Sequence, residues 1–413
     1  MVSLLRRVSW PSWASWKPVA FSNSNFPQIP ADYLVEEETL PNYLASRYYP
    51  VRIGEVLRDR YQIVGKLGFG ATSTVWLARD LSGRRHVALK LFVHANSMGS
   101  QLDKEINMYK RMKERGSWFH DGRHYVRDLL DSFDIDGPDG RHRCLVHSPL
   151  WENMHTFLRR NPIMRLPQPV FAVMLHRLFL ALDFLHTECS IIHTDIRADN
   201  IMFGIEDDSV FRELEQRELS DPSPRKVLKD RTIYTSRQLS MPKGRGLGAP
   251  VLCDFGSAVC GDVEHREDVQ PNIYRAPEVI LEVPWTSKID IWNVGCMVWD
   301  LFEGGHLFTG HDPELATYRS RAHLAEMTAL LGPPPQQFLD QGNLKSKFFS
   351  EKGEFSGGIP LPPARSLEEL ETNNELEDRE SFLRMMRMML QWDPHVRSSA
   401  KELADAEWLQ GKV

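Results

Sequence analysis

The pattern of hydrophobic and polar positions changes character along the chain. Apolar and β-branched runs predict strands at 61–65, 73–78 and 86–91, separated by turns that contain glycine. Between Gln101 and Arg115 the apolar residues recur at helical spacing among charges, which predicts one helix. Beyond about Trp151 helical patterns dominate, and they predict helices at 171–186, 289–302, 318–330 and 380–391. The fold class is therefore α+β, with a small β-rich lobe that carries one main helix and a larger, mostly helical lobe.

The same pattern suggests where these lobes begin and end. Residues 51–147 form the predicted first lobe and 148–413 the second, preceded by an extension over 1–50. Residues 1–31 contain Arg6, Arg7 and Lys17 and no acid, a composition typical of a mitochondrial targeting segment, but four prolines interrupt any amphipathic helix. We expect a largely disordered extension, with targeting as the alternative.

Two stretches within the second lobe read as insertions. Residues 206–248 begin acidic and end basic, and the stretch of about 333–380 closes with seven acids and one base over 366–380. The basic part of the first insertion packs or dangles as a spacer in our preferred interpretation; the alternative is a segment that mimics a substrate or binds nucleic acid.

Composition excludes several classes of protein. Of 413 residues, 42 % are apolar and 26 % charged, which is ordinary globular usage, and the net charge of −6 argues against direct nucleic-acid binding. Five cysteines without a Cys-x-x-Cys pair give neither a zinc nor a disulfide pattern, so we expect a reducing compartment, cytoplasmic or nuclear. The apolar stretch Val170–Leu185 is broken by His176, Arg177 and Asp183, which argues against a membrane span.

The first candidate for chemistry is a glycine turn between two predicted strands. It reads Leu67-Gly68-Phe69-Gly70-Ala71-Thr72-Ser73-Thr74-Val75. Glycines without Cβ atoms let a backbone approach phosphate groups, although a plain hairpin turn explains this motif as well. Lys90 ends a following apolar strand, and Glu105 lies fifteen residues later in the predicted helix. A lysine that holds phosphates needs such a partner; the alternative is an ordinary surface ion pair.

The strongest signal is an aspartate and an asparagine five residues apart. Asp195 and Asn200 follow an apolar pair and precede a short apolar strand, and Asp254 ends a later apolar strand before Phe255 and Gly256. An aspartate can accept the proton of an attacking hydroxyl, while an amide oxygen and a second carboxylate are ligands that Mg²⁺ prefers. Each acid alone is also explained as a loop residue that caps a helix, but the ordered set is difficult to attribute to chance.

Together these residues resemble the motifs of a eukaryotic protein kinase. The matching pieces continue with Ala276-Pro277-Glu278, with Asp290 in the next helix and with Arg397, so the resemblance spans residues 67–397. It implies a bilobal protein-kinase-like fold, an ion pair between Glu278 and Arg397, and a tethering role for Asp290 near the catalytic loop.

The finer resemblance is to the SR-protein kinase (SRPK) branch of the CMGC group, of fungal type. Thr194 stands before Asp195 where most kinases carry arginine, and Ser73 stands at the third glycine position. Residues 49–55 are similar to the branch's lead-in to the first strand, and 206–248 lie where its members carry a spacer.

The resemblance implies a serine/threonine protein kinase that uses ATP and Mg²⁺. Asp195 would be the catalytic base, assisted by Lys90, Arg197 and Asn200, and Asn200 and Asp254 would hold the metal. The nucleotide would lie against the following residues: Leu67, Gly68, Phe69, Gly70, Ala71, Thr72, Ser73, Thr74, Val75, Ala88, Lys90, Glu105 and Leu150. Protein substrates rich in arginine and serine, a monomeric state and no membrane partner complete the expectation. The acids of 366–380 would bind basic substrates, or else form a solvated face.

Two departures bear on activity. Arg197 replaces the usual lysine and Asp199 the usual glutamate, which favours as an alternative a slow pseudokinase that binds ATP as a scaffold.

Between Ala258 and Ile273 there is no Ser, Thr or Tyr, and Thr194 removes the arginine that usually receives a loop phosphate. We therefore expect activity without activation-loop phosphorylation.

Overall fold

The computed structural model describes residues 15–94, 101–162, 165–372, 378–410 and 412. The described chain divides into two compact units. The first unit combines the residues up to 94 with Asp128–Leu150 and Ile205–Leu247, and the second combines the residues from 101 to Arg127 with Trp151–Gly204 and the residues from Gly248 onward.

The elements have the following bounds. The strands are β1 (Val56–Leu57), β2 (Tyr61–Phe69), β3 (Ser73–Asp80), β4 (Arg85–Phe92), β5 (Asp131–Asp136), β6 (Arg141–His147), β7 (Ile191–Ile192), β8 (Ile201–Ile205), β9 (Arg225–Val227), β10 (Thr232–Tyr234), β11 (Leu247–Leu252) and β12 (Val259–Cys260). The α-helices are α1 (Gln101–Arg115), α2 (Met154–Arg159), α3 (Gln168–Asp183), α4 (Ser209–Ser220), α5 (Pro277–Ile280), α6 (Lys288–Glu303), α7 (Ser320–Leu331), α8 (Gln336–Leu339), α9 (Lys345–Phe348), α10 (Leu367–Leu370), α11 (Arg379–Met389) and α12 (Ala400–Ala404).

A six-stranded antiparallel sheet forms the centre of the first unit. Its order is β1-β2-β3-β4-β6-β5, and the three predicted strands correspond to β2, β3 and β4. The register opposes Val75 to Lys90 and Leu77 to Ala88, so the residues predicted to bind nucleotide lie on neighbouring strands. The central strands β2, β3 and β4 are buried at most positions and not only at alternate ones, so both faces of this part of the sheet are covered.

The core of the first unit draws on three separate parts of the chain. Trp76 of the sheet packs edge-on against Tyr234 with ring centroids 5.7 Å apart, and Val51 belongs to the same buried cluster. Residues 205–247 therefore belong to the first unit, although the sequence pattern assigns 206–248 to the second lobe. The reason is packing: the insertion folds into α4 and the β9–β10 hairpin, and apolar residues of both elements are buried with the sheet.

Residues 15–50 belong to the first unit and pack on its sheet, in contrast to the expectation of a largely disordered extension. The Trp16 amide donates to the Leu81 carbonyl at 2.8 Å, and the Trp16 ring packs edge-on against His86. Gln62 exchanges two hydrogen bonds with the backbone of Val19. The first part of the predicted targeting segment, residues 1–14, lies outside the described residues.

The second unit is built from helices around α3 and α6. The predicted helices correspond to α1, α3, α6, α7 and α11, with ends shifted by a few residues. Phe302 of α6 stacks on Phe382 of α11 with centroids 4.3 Å apart, and Trp408 contacts Phe382 at 5.2 Å. Aromatic side chains thus join helices that are distant in sequence.

One helical stretch, Gln168–Glu188, is long and apolar enough to cross a membrane by length and composition alone. The charged side chains of Arg177 and Asp183 therefore do not exclude a membrane span by composition alone. In the structure 61 % of its apolar window is buried inside the protein, as in the core helix of a globular unit.

Candidate active site

A buried carboxylate holds the loop that contains Asp195. Asp290 of α6 is fully buried and accepts hydrogen bonds from the amides of His193 and Thr194, both at 2.8 Å, and contacts His186 Nε2 at 2.9 Å. Before this loop, β7 pairs with β12. The predicted tethering role of Asp290 is confirmed, since one side chain fixes two successive peptide groups.

Asp195 and Asn200 lie in direct contact. Asn200 Nδ2 donates to the Asp195 carbonyl and to Asp195 Oδ2, both at 2.9 Å. Because the amide nitrogen makes both of these bonds, the Oδ1 atom of Asn200 is the oxygen that this side chain could offer to a cation. Arg197 Nε lies 3.4 Å from Asp195 Oδ2 and Arg197 Nη1 lies 3.8 Å from an Asp199 oxygen, so the arginine at the lysine position contacts the predicted base.

The backbone of Cys253 joins this loop to Asp254. The Cys253 amide donates to the Asn200 carbonyl at 2.8 Å, and the Cys253 carbonyl contacts His193 Nε2 at 3.0 Å. Asp254 follows directly with φ at 67° and an exposed side chain. The structure thus brings Asp195, Asn200 and Asp254 together in the second unit. Among the described residues no group of three or more His, Cys, Asp or Glu side chains could hold a metal ion.

Phe255 fixes the backbone after Asp254. Its side chain is fully buried, and its ring packs edge-on against His193 at 5.2 Å and Tyr109 of α1 at 5.5 Å between centroids. Because the phenylalanine is enclosed by rings of the loop and of α1, the neighbouring aspartate is directed outward.

The segment from Asp254 to Glu278 makes several polar contacts within the second unit. Thr194 Oγ1 donates to the Ser257 carbonyl at 2.9 Å, and Asp262 pairs with Arg111 and Arg115 of α1. The Arg111 guanidinium holds the pKa of Asp262 down at about 2, so this carboxylate is charged at neutral pH.

The end of this segment is fixed more firmly. Arg275 donates to the carbonyls of Val269 and Gln270, both at 3.0 Å. Glu278 and Arg397 form a bidentate pair at 2.6 and 3.0 Å, and both side chains are fully buried. The predicted ion pair is therefore confirmed; removing one partner would leave an uncompensated buried charge.

A cleft with a volume of about 660 Å³ opens beside Asp195. Two carboxylates line it, Asp195 and Asp268, together with the cations of Lys104 and Arg197. The remaining lining residues are Thr194, Gly256, Ser257, Val269, Gln270 and Pro271. A mixed-charge cleft around a carboxylate base suits a polar substrate chain.

The glycine turn forms the tip of the β2–β3 hairpin in the first unit. A Cβ atom at Gly68 would meet nothing within 4 Å, and one at Gly70 would lie 3.9 Å from the Ser73 carbonyl. Neither residue has a left-handed φ. The protein's own packing therefore does not require glycine here, whereas close approach of a ligand to the backbone would.

The other predicted nucleotide contacts divide between the units. Ala88 is buried between Leu77 and His147 in the sheet, and Leu150 follows β6 at the end of the first unit. Lys90 lies in β4 of the first unit, and Glu105 is buried in α1 of the second. Their ion pair stays a prediction.

Sequence reasoning missed three contacts. It considered Thr194 only as the replacement of an arginine and missed its hydrogen bond to the Ser257 carbonyl. It did not single out Asp268, which lines the cleft. It also did not assign a role to Tyr48, whose hydroxyl contacts the glycine turn at 3.1 and 3.2 Å. A signal for Asp268 was available in the absence of hydroxyl residues from its segment, which directs attention to the other polar side chains there.

Comparison with known proteins gives a consistent result. A family model described as the protein kinase domain matches residues 61–212 and 239–409. A serine/threonine protein kinase of Aspergillus fumigatus is 43 % identical over 94 % of this chain and 93 % of its own length. The serine/threonine-protein kinase SRPK of Physarum polycephalum is 31 % identical, covering 89 % and 90 %, and SRSF protein kinase 3 of Mus musculus is 24 % identical, covering 91 % and 90 %.

Proposed function

The chain belongs to the protein kinase family and is an SRPK-like serine/threonine kinase, and from this premise we propose that it transfers the γ-phosphate of ATP to serine hydroxyls of arginine- and serine-rich protein segments. The observation that carries the proposal is the joining of Asp195, Asn200 and Asp254 through two side-chain bonds of Asn200 and the backbone of Cys253.

Asp195 is the proposed base. Its Oδ2 atom accepts from Asn200 Nδ2, which fixes the carboxylate for accepting a proton from the serine hydroxyl. The Asn200 Oδ1 atom and the Asp254 carboxylate fit a divalent cation such as Mg²⁺, which prefers oxygen ligands. A bound Mg²⁺ would neutralise phosphate charge, and every other contact in this proposal comes from the protein itself.

The glycine turn is the proposed phosphate cradle of the first unit. Gly68 and Gly70 leave open space that a side chain would fill, which supports close approach of phosphate groups to the backbone. Lys90, opposite Val75 in the sheet, supplies the proposed cation for the α- and β-phosphates.

We propose that this kinase needs no phosphate on its activation segment. Thr194 donates directly to the Ser257 carbonyl, and Asp262 already supplies a negative charge to Arg111 and Arg115. In kinases that use loop phosphorylation, a phosphate creates comparable pairs with arginines. These permanent contacts support a segment that is ordered when the chain is synthesised.

The acidic stretch 366–380 offers little support for basic-substrate binding. Glu375 and Glu377 lie outside the described residues, and the remaining acids largely satisfy local partners. Glu368 pairs with Arg387, Glu371 with Arg379 and Glu380 with Arg384, while Glu369 caps α10 through Ser366. Asp268, which lines the cleft with Asp195 and is 74 % exposed, is the stronger candidate to attract arginine from a substrate. We expect such substrates in the cytoplasm or nucleus.

A second candidate function is an ATP-binding scaffold with little catalysis. The contact between Arg197 Nε and Asp195 Oδ2 favours it, because a guanidinium paired with the proposed base competes with a substrate hydroxyl for the same carboxylate oxygen. The bound geometry of Asn200 argues for the active kinase, since a scaffold has no need of an oriented base.

Phosphate transfer from labelled ATP with Mg²⁺ to an arginine–serine repeat peptide tests the proposal. A serine–proline peptide and an Asp195→Asn variant serve as controls, and the protein is produced in bacteria and treated with phosphatase first. Transfer that favours the arginine–serine peptide and disappears in the variant supports the proposal. Preference for serine–proline overturns the substrate class, and activity that returns only after loop phosphorylation overturns the activation proposal. Nucleotide binding without transfer to a wide peptide panel favours the scaffold.

A further inference from the structure

Two segments that the family model does not match bind one another on the first unit. The residues before 61 and those at 213–238 lie outside the two stretches that the family model matches. The amide of Ile29 donates to the Arg225 carbonyl at 3.0 Å, and the amide of Arg225 donates to the Pro27 carbonyl at 3.1 Å, as in a short parallel strand pair. The extension and the insertion are therefore joined by backbone hydrogen bonds.

Buried charges strengthen this joint. Lys226 of the insertion pairs with Glu38 of the extension at 2.9 Å, and both side chains are nearly inaccessible to solvent. Ser236 donates from its hydroxyl at 2.6 Å and from its amide at 2.9 Å to the Glu36 carboxylate. Because each charged group is paired away from water, the two segments are expected to fold as one.

The joined segments reach the glycine turn through Tyr48. The Tyr48 hydroxyl shares its proton between the Gly70 carbonyl at 3.1 Å and the Ala71 carbonyl at 3.2 Å. The Tyr48 residue is 6 % exposed, and its own carbonyl accepts from Arg231 of the insertion at 3.4 Å. Burial raises the pKa of the Tyr48 phenol, so it remains a donor at neutral pH.

A second contact fixes the strand that leads into the turn. Lys66 of β2 has no exposed side-chain surface and pairs with Glu37 of the extension, while its Nζ lies 5.3 Å from the Phe69 ring centroid. The same extension thus holds the tip of the β2–β3 hairpin and the end of β2 that leads into it.

Fixing the two carbonyls also sets the direction of the next amides. In a trans peptide the C=O and N–H groups point in opposite directions. When the carbonyls of Gly70 and Ala71 face Tyr48, the N–H groups of Ala71 and Thr72 face the other side of the turn. Backbone N–H groups aligned in this way form an anion-binding concavity.

We propose that Tyr48 is a positioning residue for nucleotide phosphates, which orients the N–H groups of Ala71 and Thr72 by binding the carbonyls of Gly70 and Ala71. The inference rests on the proposed nucleotide-binding role of the glycine turn. Tyr48 itself touches no reacting atom; it acts through the backbone of the turn, and the insertion holds it in place through Arg231.

The test compares Tyr48→Phe with the full-length wild-type chain. Loss of one hydrogen bond is expected to raise the KM for ATP and the dissociation constant for ATP–Mg²⁺ by about three- to tenfold. The kcat, the KM for the arginine–serine peptide and the Tm without nucleotide are expected to stay close to wild type. A role at the phosphates changes ATP binding alone, whereas a purely structural role would also change the Tm or the KM for the peptide.

Tyr43→Phe is the matched control. Tyr43 lies in the same extension with its ring 5.3 Å from that of Tyr48, and among the described contacts its hydroxyl makes no hydrogen bond to the turn. The inference is overturned if Tyr48→Phe binds ATP like the wild type, if Tyr43→Phe changes ATP binding equally, or if the peptide KM and the Tm change together with the KM for ATP. If the wild type transfers no phosphate, the proposed function fails, and the dissociation constants for ATP–Mg²⁺ still decide the role of Tyr48.

Discussion

Thr194 adopts a backbone conformation that a β-branched residue rarely takes. Its φ of 66° lies in the left-handed region, directly before the proposed base. Such strain persists only where the surroundings over-determine it. Here Asp290 accepts from the Thr194 amide and the Ser257 carbonyl accepts from its hydroxyl. The strained residue therefore links the catalytic loop to the activation segment.

Thr194→Ala is expected to lower kcat/KM by about three- to tenfold in protein without loop phosphate, because one interaction of about 0.5–1.5 kcal/mol between the loop and the segment is lost. Peptide phosphorylation after phosphatase treatment measures this. Thr187→Ala is the control, since Thr187 Oγ1 donates to the Asp183 carbonyl at the end of α3, at 2.7 Å. Equal activity of Thr194→Ala and wild type would contradict the proposed role of this bond.

Asp268 offers a charge to the cleft without being free to move. Its Oδ1 atom lies 3.0 Å from Arg275 Nε, while 74 % of its side chain is exposed. Because Arg275 also donates to two carbonyls of the same segment, the carboxylate is held at the cleft. A fixed acid of this kind can recognise a guanidinium in the proposed arginine-rich substrate.

Asp268→Asn is expected to raise the KM for an arginine–serine peptide by about three- to tenfold, as for the loss of one partly exposed ion pair of about 1 kcal/mol. The KM for a peptide with alanine in place of arginine should not change, which separates substrate recognition from loss of the Arg275 contact. Glu264→Gln is the matched control, because Glu264 is an exposed acid of the same segment that pairs with Arg266 at 3.1 Å. Equal KM increases for both peptides would refute the assignment.

At the level of elements, the extension supplies the counter-charge for a lysine buried in β2. Lys66 is fully buried beside Glu37, and a Glu36 oxygen lies 3.5 Å from its Nζ. A cation in such a place is costly unless it is paired, so the strand depends on residues that precede it by about thirty positions. The extension is thus part of the folded first unit.

Glu37→Gln is expected to reduce the free energy of unfolding by about 3 kcal/mol, at the lower end for a broken buried pair because Glu36 compensates in part. Lys66→Met together with Glu37→Gln should recover most of this loss, since the double variant leaves no buried charge in the pair. Urea unfolding of both single variants, the double variant and an exposed control, Asp32→Asn, measures the coupling. Additive effects of the two substitutions would show that the pair is not coupled.

The sequence allowed some elements to be predicted and not others, for a physical reason. Asp195, Asn200 and Asp254 stand beside short apolar strands, so local pattern and spacing place them in one site. The packing of residues 15–50 on the insertion depends on pairs such as Lys226–Glu38, which join positions 188 residues apart. No local pattern encodes such a partner, and proline-rich composition alone suggested disorder.

For the whole molecule, the boundaries of the fold do not follow the boundaries of the family resemblance. The buried cluster of the first unit includes Val51 and Tyr234, and both lie outside the residues that the family model matches. Removing either segment would expose apolar surface of the sheet and leave Lys66 or Glu38 without its counter-charge. The minimal folded chain therefore contains the extension and the insertion as well as the matched residues.

Acid stability provides a test at the same scale. His323 of α7 is fully buried against the rings of Phe308 and Tyr318, and the Tyr318 hydroxyl lies 3.2 Å from its Nδ1. Burial, with a smaller contribution from the charge of Arg275, lowers the pKa of His323 to about 3. In the unfolded chain its pKa is about 6.5, so between these values the unfolded state binds one more proton.

It follows that the contribution of His323 to stability is complete above about pH 6.5 and is lost as the pH falls toward 3, by about 1.4 kcal/mol for each pH unit. His323→Gln removes this proton uptake, so the difference in unfolding free energy between wild type and variant should change by roughly 2–3 kcal/mol from pH 6 to pH 4. Urea unfolding across this range measures both curves, and acids common to both proteins cancel in the difference. Parallel curves would mean that His323 takes up its proton in the folded protein, which its complete burial argues against.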